Sequence, residues 1–232
     1  MPAMTTDLTP PQALRLAAWL SPAFPTGAFS YSHGLEYAVE AGLVDDERSL
    51  EDWLTGLLTF GSGRNEAILF VAAWRSATDQ AAFIEVAELA AALRPSAELA
   101  LETEMQGQAF LDTVVAAWPS DDLQALQTWL ADIAPSLPVV AGAACRVHRL
   151  PLDGSLTFYQ HAFIANLVSA GVRLVPLGQA AGQRVIAALE APVLDLARAA
   201  RDMTLEDLGA AGAMQEIASM AHETQYTRLF RS

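Results

Sequence analysis

Residues 166–186 read NLVSAGVRLVPLGQAAGQRVI. Apolar positions recur there at three- and four-residue spacing rather than in alternation, which is the period of a helix. Gly171, Pro176 and Gly178 break the pattern, and it resumes with Gln179, Gln183 and Arg184 along one side. The stretch contains no nucleophile, phosphate loop or metal cage. Long amides and arginines beside a helix break suit a surface that holds a partner or lines a wet passage. That chemistry points away from an enzyme.

The same periodicity extends outward in both directions, with alanine and leucine, both strong helix formers, dominating. A first helix carries Leu14, Ala17, Ala18 and Leu20, opened by Thr9 with prolines in its first turn. It stops at residues 21–27, SPAFPTG, a two-proline loop that no helix crosses. A short second helix holds Leu35, Tyr37, Ala38 and Val39 and ends at Gly42. Ser49 with Asp52 reads as a capping box opening a third. Gly61 and Gly63 interrupt that pattern before Ile68, Leu69, Val71 and Trp74 resume it. Further helices are expected over 80–93, 96–118 and 121–133, punctuated by Pro95, Pro119 and Pro135. Pro138 opens the next. Thr157 with Gln160 reads as the cap of the helix carrying Phe163 and Leu167. Beyond Pro176 lie helices over 178–189 and 193–201, then a turn capped by Thr204 and Asp207. No run alternates long enough for a strand, and no internal repeat is visible. The expected fold is all-α, a single globular domain of about ten helices. It spans residues 1–221, with a separate tail over 222–232. That tail, HETQYTRLFRS, sets Tyr226, Leu229 and Phe230 among Arg228 and Arg231. Apolar side chains of this size are costly in water, so it packs either on its own domain, as a terminal helix, or on another subunit.

Composition narrows the function. Of 232 residues, 53% are hydrophobic and 17% charged, enough to bury a full core. Thirteen basic against 27 acidic side chains give a net charge of -14, which repels nucleic-acid phosphates. There is no lysine, so every side-chain cation besides histidine is an arginine suited to two-point carboxylate contacts. One cysteine, Cys145, excludes an internal disulfide. Residues 1–7 lack the basic and apolar regions of a leader, so a cytoplasmic location is expected. The longest uncharged stretch, between Asp153 and Arg173, carries Gln160, His161, Asn166 and Ser169, which a lipid-facing span avoids. No membrane association is expected.

Enzymatic signatures are scarce. Without lysine there is no phosphate-binding P-loop, Gly61-x-Gly63 has no preceding strand, and no hydrolase elbow occurs. Cys145 and His148, three apart, share a helix face and are the weak metal candidates, but two ligands do not close a site and Arg146 and Arg149 oppose a cation. His33 and His161 stand alone among apolar residues and read as satisfied core or interface histidines. Glu85 with Glu88, and Glu98 with Glu102 and Glu104, read as solvated helix faces.

Three stretches combine into a resemblance. Residues 20–36, LSPAFPTGAFSYSHGLE, residues 166–184 and residues 222–232 resemble, in that order, the N-terminal, central and C-terminal signatures of the UreF family of urease accessory proteins. The likeness spans essentially the whole chain. It implies an all-helical, usually dimeric, non-catalytic chaperone of urease maturation. Such a protein binds UreD (UreH), recruits the GTPase UreG and promotes GTP-dependent nickel delivery to apo-urease, its tail ordering on UreD. No cofactor is expected, with nickel passing only transiently. The partner-binding or passage-lining residues implied are Tyr31, Ser32, Glu36, Ser169, Gly171, Arg173, Gln179, Gln183, Arg184, His222, Glu223, Tyr226, Arg228, Leu229, Phe230 and Arg231. Two alternatives stand beside this: a helical small-molecule-binding enzyme using Glu36, His161 or the acidic faces near Pro176, and a nickel-binding storage protein using Cys145 and His148.

Overall fold

The computed structural model describes residues 8–93, 96–209 and 211–232. The expectations for residues 1–7 and for Pro95 therefore lie outside the described residues. Twelve α-helices run through the described chain. They are α1 (Pro10–Trp19), α2 (Leu35–Glu40), α3 (Glu47–Phe60), α4 (Ser62–Ser76), α5 (Gln80–Ala92) and α6 (Ala97–Ala117). There follow α7 (Asp121–Trp129), α8 (Leu137–Val147), α9 (Leu152–Leu174), α10 (Gln179–Ala188), α11 (Glu190–Ala200) and α12 (Ala213–His222). Single 3-10 turns occupy Ala28–Ser30 and Leu205–Asp207. No strand occurs among the described residues.

Helix α4 is the central element. It lies along α8 so closely that a Cβ on Gly142 would stand 2.4 Å from the Phe70 carbonyl oxygen. That approach exists because α8 is built of small residues, Ala141 to Ala144, all buried. Helix α6 covers the other side of α8, while α3, α10 and α11 pack around α9. Trp19, Phe24, Phe110 and Trp118 close one end of the core with edge-on and tilted ring contacts.

Several local expectations are corrected. Gly171 does not break a helix: α9 runs through it to Leu174, and a Cβ there would stand 2.7 Å from Leu50 Cδ2. The glycine is a packing contact, and only Pro176, which has no N–H to continue the ladder, ends the element. Thr157 is not a cap. It lies inside α9, which starts at Leu152, and its hydroxyl donates to the Asp153 carbonyl. Helix α3 is capped by Asp46, with Ser49 returning the reciprocal bond, so the capping box sits three residues earlier than expected. Helix α7 stops at Trp129 rather than 133, and α12 was not among the expected elements. Thr9 opening α1, with prolines in its first turn, and the Thr204–Asp207 turn stand as expected.

Candidate functional site

The three sequence motifs meet at one place. After the left-handed Gly27, the 3-10 turn presents three successive carbonyls. Asn166 Nδ2 of α9 donates to Ala28 O at 3.0 Å, and Arg173, also on α9, donates to Phe29 O at 2.9 Å. The Arg231 backbone N–H of the tail takes Ser30 O at 2.9 Å. The Arg173 guanidinium lies between two rings, 3.6 Å from the Phe29 centroid and 4.3 Å from that of Phe230. One arginine thus joins the central motif to both others.

Glu36 holds the tail. It is buried on α2, and its two oxygens accept the backbone N–H groups of Leu229 at 2.6 Å and Phe230 at 2.8 Å. His222 Nε2 stands 3.2 Å from the same carboxylate, and His222 Nδ1 stands 2.6 Å from Glu98 Oε2. Arg228 donates to the other Glu98 oxygen at 2.5 Å. The fully buried His222 thus stands between two carboxylates, one from α2 and one from α6. Glu223 accepts the Ala97 N–H at 2.7 Å, placing an anion on the α6 N-terminus.

A second network continues from the end of the tail. The Ser32 N–H and hydroxyl both donate to Ser232 O, the former at 2.9 Å. Ser232 Oγ reaches Glu102 Oε2 at 2.5 Å, while Glu102 Oε1 faces His33 Nδ1 at 3.4 Å and His33 Nε2 meets Ser62 Oγ at 2.9 Å. Burial works against the His33 charge, but the Glu102 carboxylate, with Glu66 behind it, outweighs burial and raises the imidazole above its ordinary value. His33 has φ 59° and Gly34 φ 78°, so the chain turns through two left-handed residues here. At Gly34 only glycine serves, because a Cβ would also stand 2.9 Å from the Ser219 backbone N.

Of the residues singled out in the sequence, Tyr31, Ser32, Glu36, Arg173, His222, Glu223, Arg228, Leu229, Phe230 and Arg231 gather at this junction. Tyr226 is fully exposed beside it, and Leu229 and Phe29 are 66% and 63% exposed. Ser169, Gln179, Gln183 and Arg184 lie exposed on α9 and α10. Arg184 forms a two-point pair with Glu47, at 2.8 and 2.5 Å. Glu98 and Glu102 are corrected: they are not solvated faces but the α6 side of the tail junction. A signal existed, since Leu99, Glu102, Gln106 and Phe110 follow one apolar stripe, which sets Glu102 on the buried face. The tail is not a terminal helix; the helix ends at His222, and the residues beyond it take their hydrogen bonds from side chains and loops.

His161 is not a core histidine. It is exposed on α9 and lines a shallow groove with Ile186 and Leu189, sharing no cavity with Glu36, which the tail covers. His148 is half-buried, edge-on to Trp19, with Nδ1 3.0 Å from Arg15. Burial and the Arg15 cation lower its pKa. Burial pushes the Cys145 thiol up to about 12, so neither group favours a metal ion. Among the described residues no group of three or more His, Cys, Asp or Glu is set to hold a metal. No helix among them is long and apolar enough to cross a membrane.

Comparison with known proteins agrees over most of the chain. A family model described as UreF matches residues 44–190. A urease accessory protein UreF of Rhodopseudomonas palustris (strain BisB5) is 51% identical over 220 residues, covering 94% of this chain and 90% of that relative. One from Xanthobacter autotrophicus (strain ATCC BAA-1158 / Py2) is 51% identical, covering 96% and 92%. Another, from Azorhizobium caulinodans, is 49% identical, covering 96% and 97%.

Proposed function

The chain belongs to the UreF family of urease accessory proteins, and we propose that it is a non-catalytic, cytoplasmic scaffold binding UreD (UreH) through the tail junction. Its general role is in urease maturation. In this reading it recruits the GTPase UreG to apo-urease as a homodimer and promotes GTP-dependent nickel delivery, without a cofactor of its own. The observation that carries the reading is the tail junction. Motifs from residues 20–36, 166–184 and 222–232 converge on one surface, and Tyr226, Leu229 and Phe29 stand exposed on it. Polar fixation beneath an exposed apolar rim is what a partner-binding surface needs: the backbone is held while the contact side chains stay available.

Ser169 on α9 and Gln179 and Gln183 on α10 supply exposed neutral oxygen and nitrogen groups. Such groups suit the passage of a hydrated nickel ion, as cargo, between them and a second surface. A tight cage would trap a metal that must move on. The storage alternative finds no support at Cys145 and His148: the Arg15 cation stands against His148, and burial pushes the Cys145 thiol up to about 12.

The test is co-purification with UreD and UreG on size exclusion, comparing the full chain with one lacking residues 224–232. The full chain is expected to elute as a stoichiometric complex and the shortened chain alone, with its helical circular dichroism retained. A shortened chain that still carries UreD at full yield removes the tail from the interface. A full chain that binds neither partner refutes the scaffold.

A further inference from the structure

Behind the tail junction lies a cleft of about 340 Å³ between α4, the end of α5, α6 and α12. Leu69, Leu93 and Leu99 wall it, Glu66 and His33 lie on its inner side, and Glu216 stands on its α12 wall. Glu66 Oε2 accepts the Tyr159 hydroxyl at 2.8 Å, but Oε1 takes no hydrogen bond within the chain among the described residues. No arginine among those residues pairs with Glu66. Burial raises its pKa, His33 offsets this in part, and the Glu102 charge adds to the rise. The carboxylate is half-buried in the cleft, with one oxygen bonded to Tyr159 and the other left open to solvent or to a ligand.

The occupant follows from these features. A phosphate or carboxylate is repelled by Glu66 and Glu216. A hydrated metal ion lacks ligands, since no group of three His, Cys, Asp or Glu converges there among the described residues, and apolar walls reward no hydrated surface. A cation carried on an apolar stem satisfies both parts: its stem lies along the leucines and its charged head meets Glu66. A guanidinium fits better than an ammonium, because when one N–H of its planar fork meets the free carboxylate oxygen it keeps donors for other polar groups of the wall, Ser62 and Ser136 among them. The net charge of -14 steers basic surfaces toward the chain.

We propose that this cleft receives an arginine side chain presented by a partner protein, with Glu66 as its carboxylate anchor. The inference goes beyond the urease reading and stands or falls without it.

The test uses the isolated full chain, titrated calorimetrically with N-acetyl-arginine amide and with its neutral isostere N-acetyl-citrulline amide. The arginine probe is expected to bind at least tenfold more tightly than citrulline. Glu66→Gln, which keeps an acceptor for Tyr159, should weaken it at least tenfold. Ala92→Arg, at an exposed position on the cleft, supplies an internal cation and should abolish binding without touching the core. An Ala-Ala-Arg-Ala-Ala peptide with blocked ends separates the sources. Binding at least as tight as that of agmatine supports a partner's side chain, and a cleft that takes agmatine but excludes the peptide overturns it. Equal affinity for arginine and citrulline, no saturable binding, or affinity unchanged in folded Glu66→Gln also overturns the proposal.

Discussion

Glu36 shows how much one side chain arranges. Its carboxylate accepts two backbone N–H groups that no other element reaches, so Glu36→Ala leaves both without partners beside the buried Phe230. An unsatisfied buried donor costs about 1–3 kcal/mol, and the variant is expected to lose about 2–4 kcal/mol in urea denaturation. Carboxypeptidase should also trim its tail faster, and an unchanged midpoint would mean the tail contributes nothing to the folded state. His33 allows a prediction with a sign. Its pKa is raised from the ordinary 6.5, so its stabilisation is fully present below that value and lost as pH rises through the folded one. Glu66, also raised, acts in the same direction from the carboxylate range upward. The lowered His148 acts oppositely, below the ordinary 6.5, and the lowered Asp46, Glu47 and Asp207 do so only at acid pH. Denaturation midpoints should therefore fall as pH climbs past neutrality, and His33→Gln should flatten that fall; a variant with the wild-type slope would refute the assignment. Cys145, with its thiol near 12, should resist iodoacetamide in the folded protein at neutral pH and react once denaturant is added.

Helices were legible because period and breakers are local properties. Thr9 with the prolines after it, the two-proline loop and Pro176 mark ends that neighbouring residues alone determine. The glycines were not legible in the same way. Gly171 looks like a breaker until Leu50 is seen against it, and Gly142 carries no local mark at all although α4 and α8 depend on it. A long-range contact decides each, and no window of sequence contains it. The same holds for the site: Glu36 and the tail could be singled out as motifs, but that one grips the other required the fold. Glu98 and Glu102 were hidden because acids on a long helix resemble a solvated face. The glycine argument can be checked directly. Gly142→Ala forces a methyl against the Phe70 carbonyl, where neither backbone can yield, and is expected to cost about 3 kcal/mol or prevent folding. Gly178→Ala meets nothing within 4 Å at an ordinary φ, and its thermal midpoint should match wild type to within about 0.5 kcal/mol. Equal midpoints for the two would mean that α4 and α8 can separate at little cost.

At the scale of the whole molecule, the tail junction divides side chains that hold structure from side chains that face outward. Phe230, Ser232 and His222 are buried and belong to the fold, whereas Tyr226 and Leu229, on the same short segment, stand in solvent. Deleting the tail removes both sets at once, so a lost partner after truncation is compatible with simple loosening of α2 and α6. Replacing only the outward set separates the two causes. Tyr226→Ala with Leu229→Asp leaves the Glu36 bonds to the Leu229 and Phe230 N–H groups in place, since those come from the backbone. The double variant should keep its denaturation midpoint within about 0.5 kcal/mol of wild type, as exposed substitutions do. It should also fail to co-elute with UreD, because an aspartate at the centre of an apolar rim is buried unpaired on docking. Retained stability with lost co-elution assigns Tyr226 and Leu229 to the interface. Co-elution at full yield would move the interface off this rim, leaving the tail as a structural clasp and the exposed amides of α9 and α10 as the next surface to test.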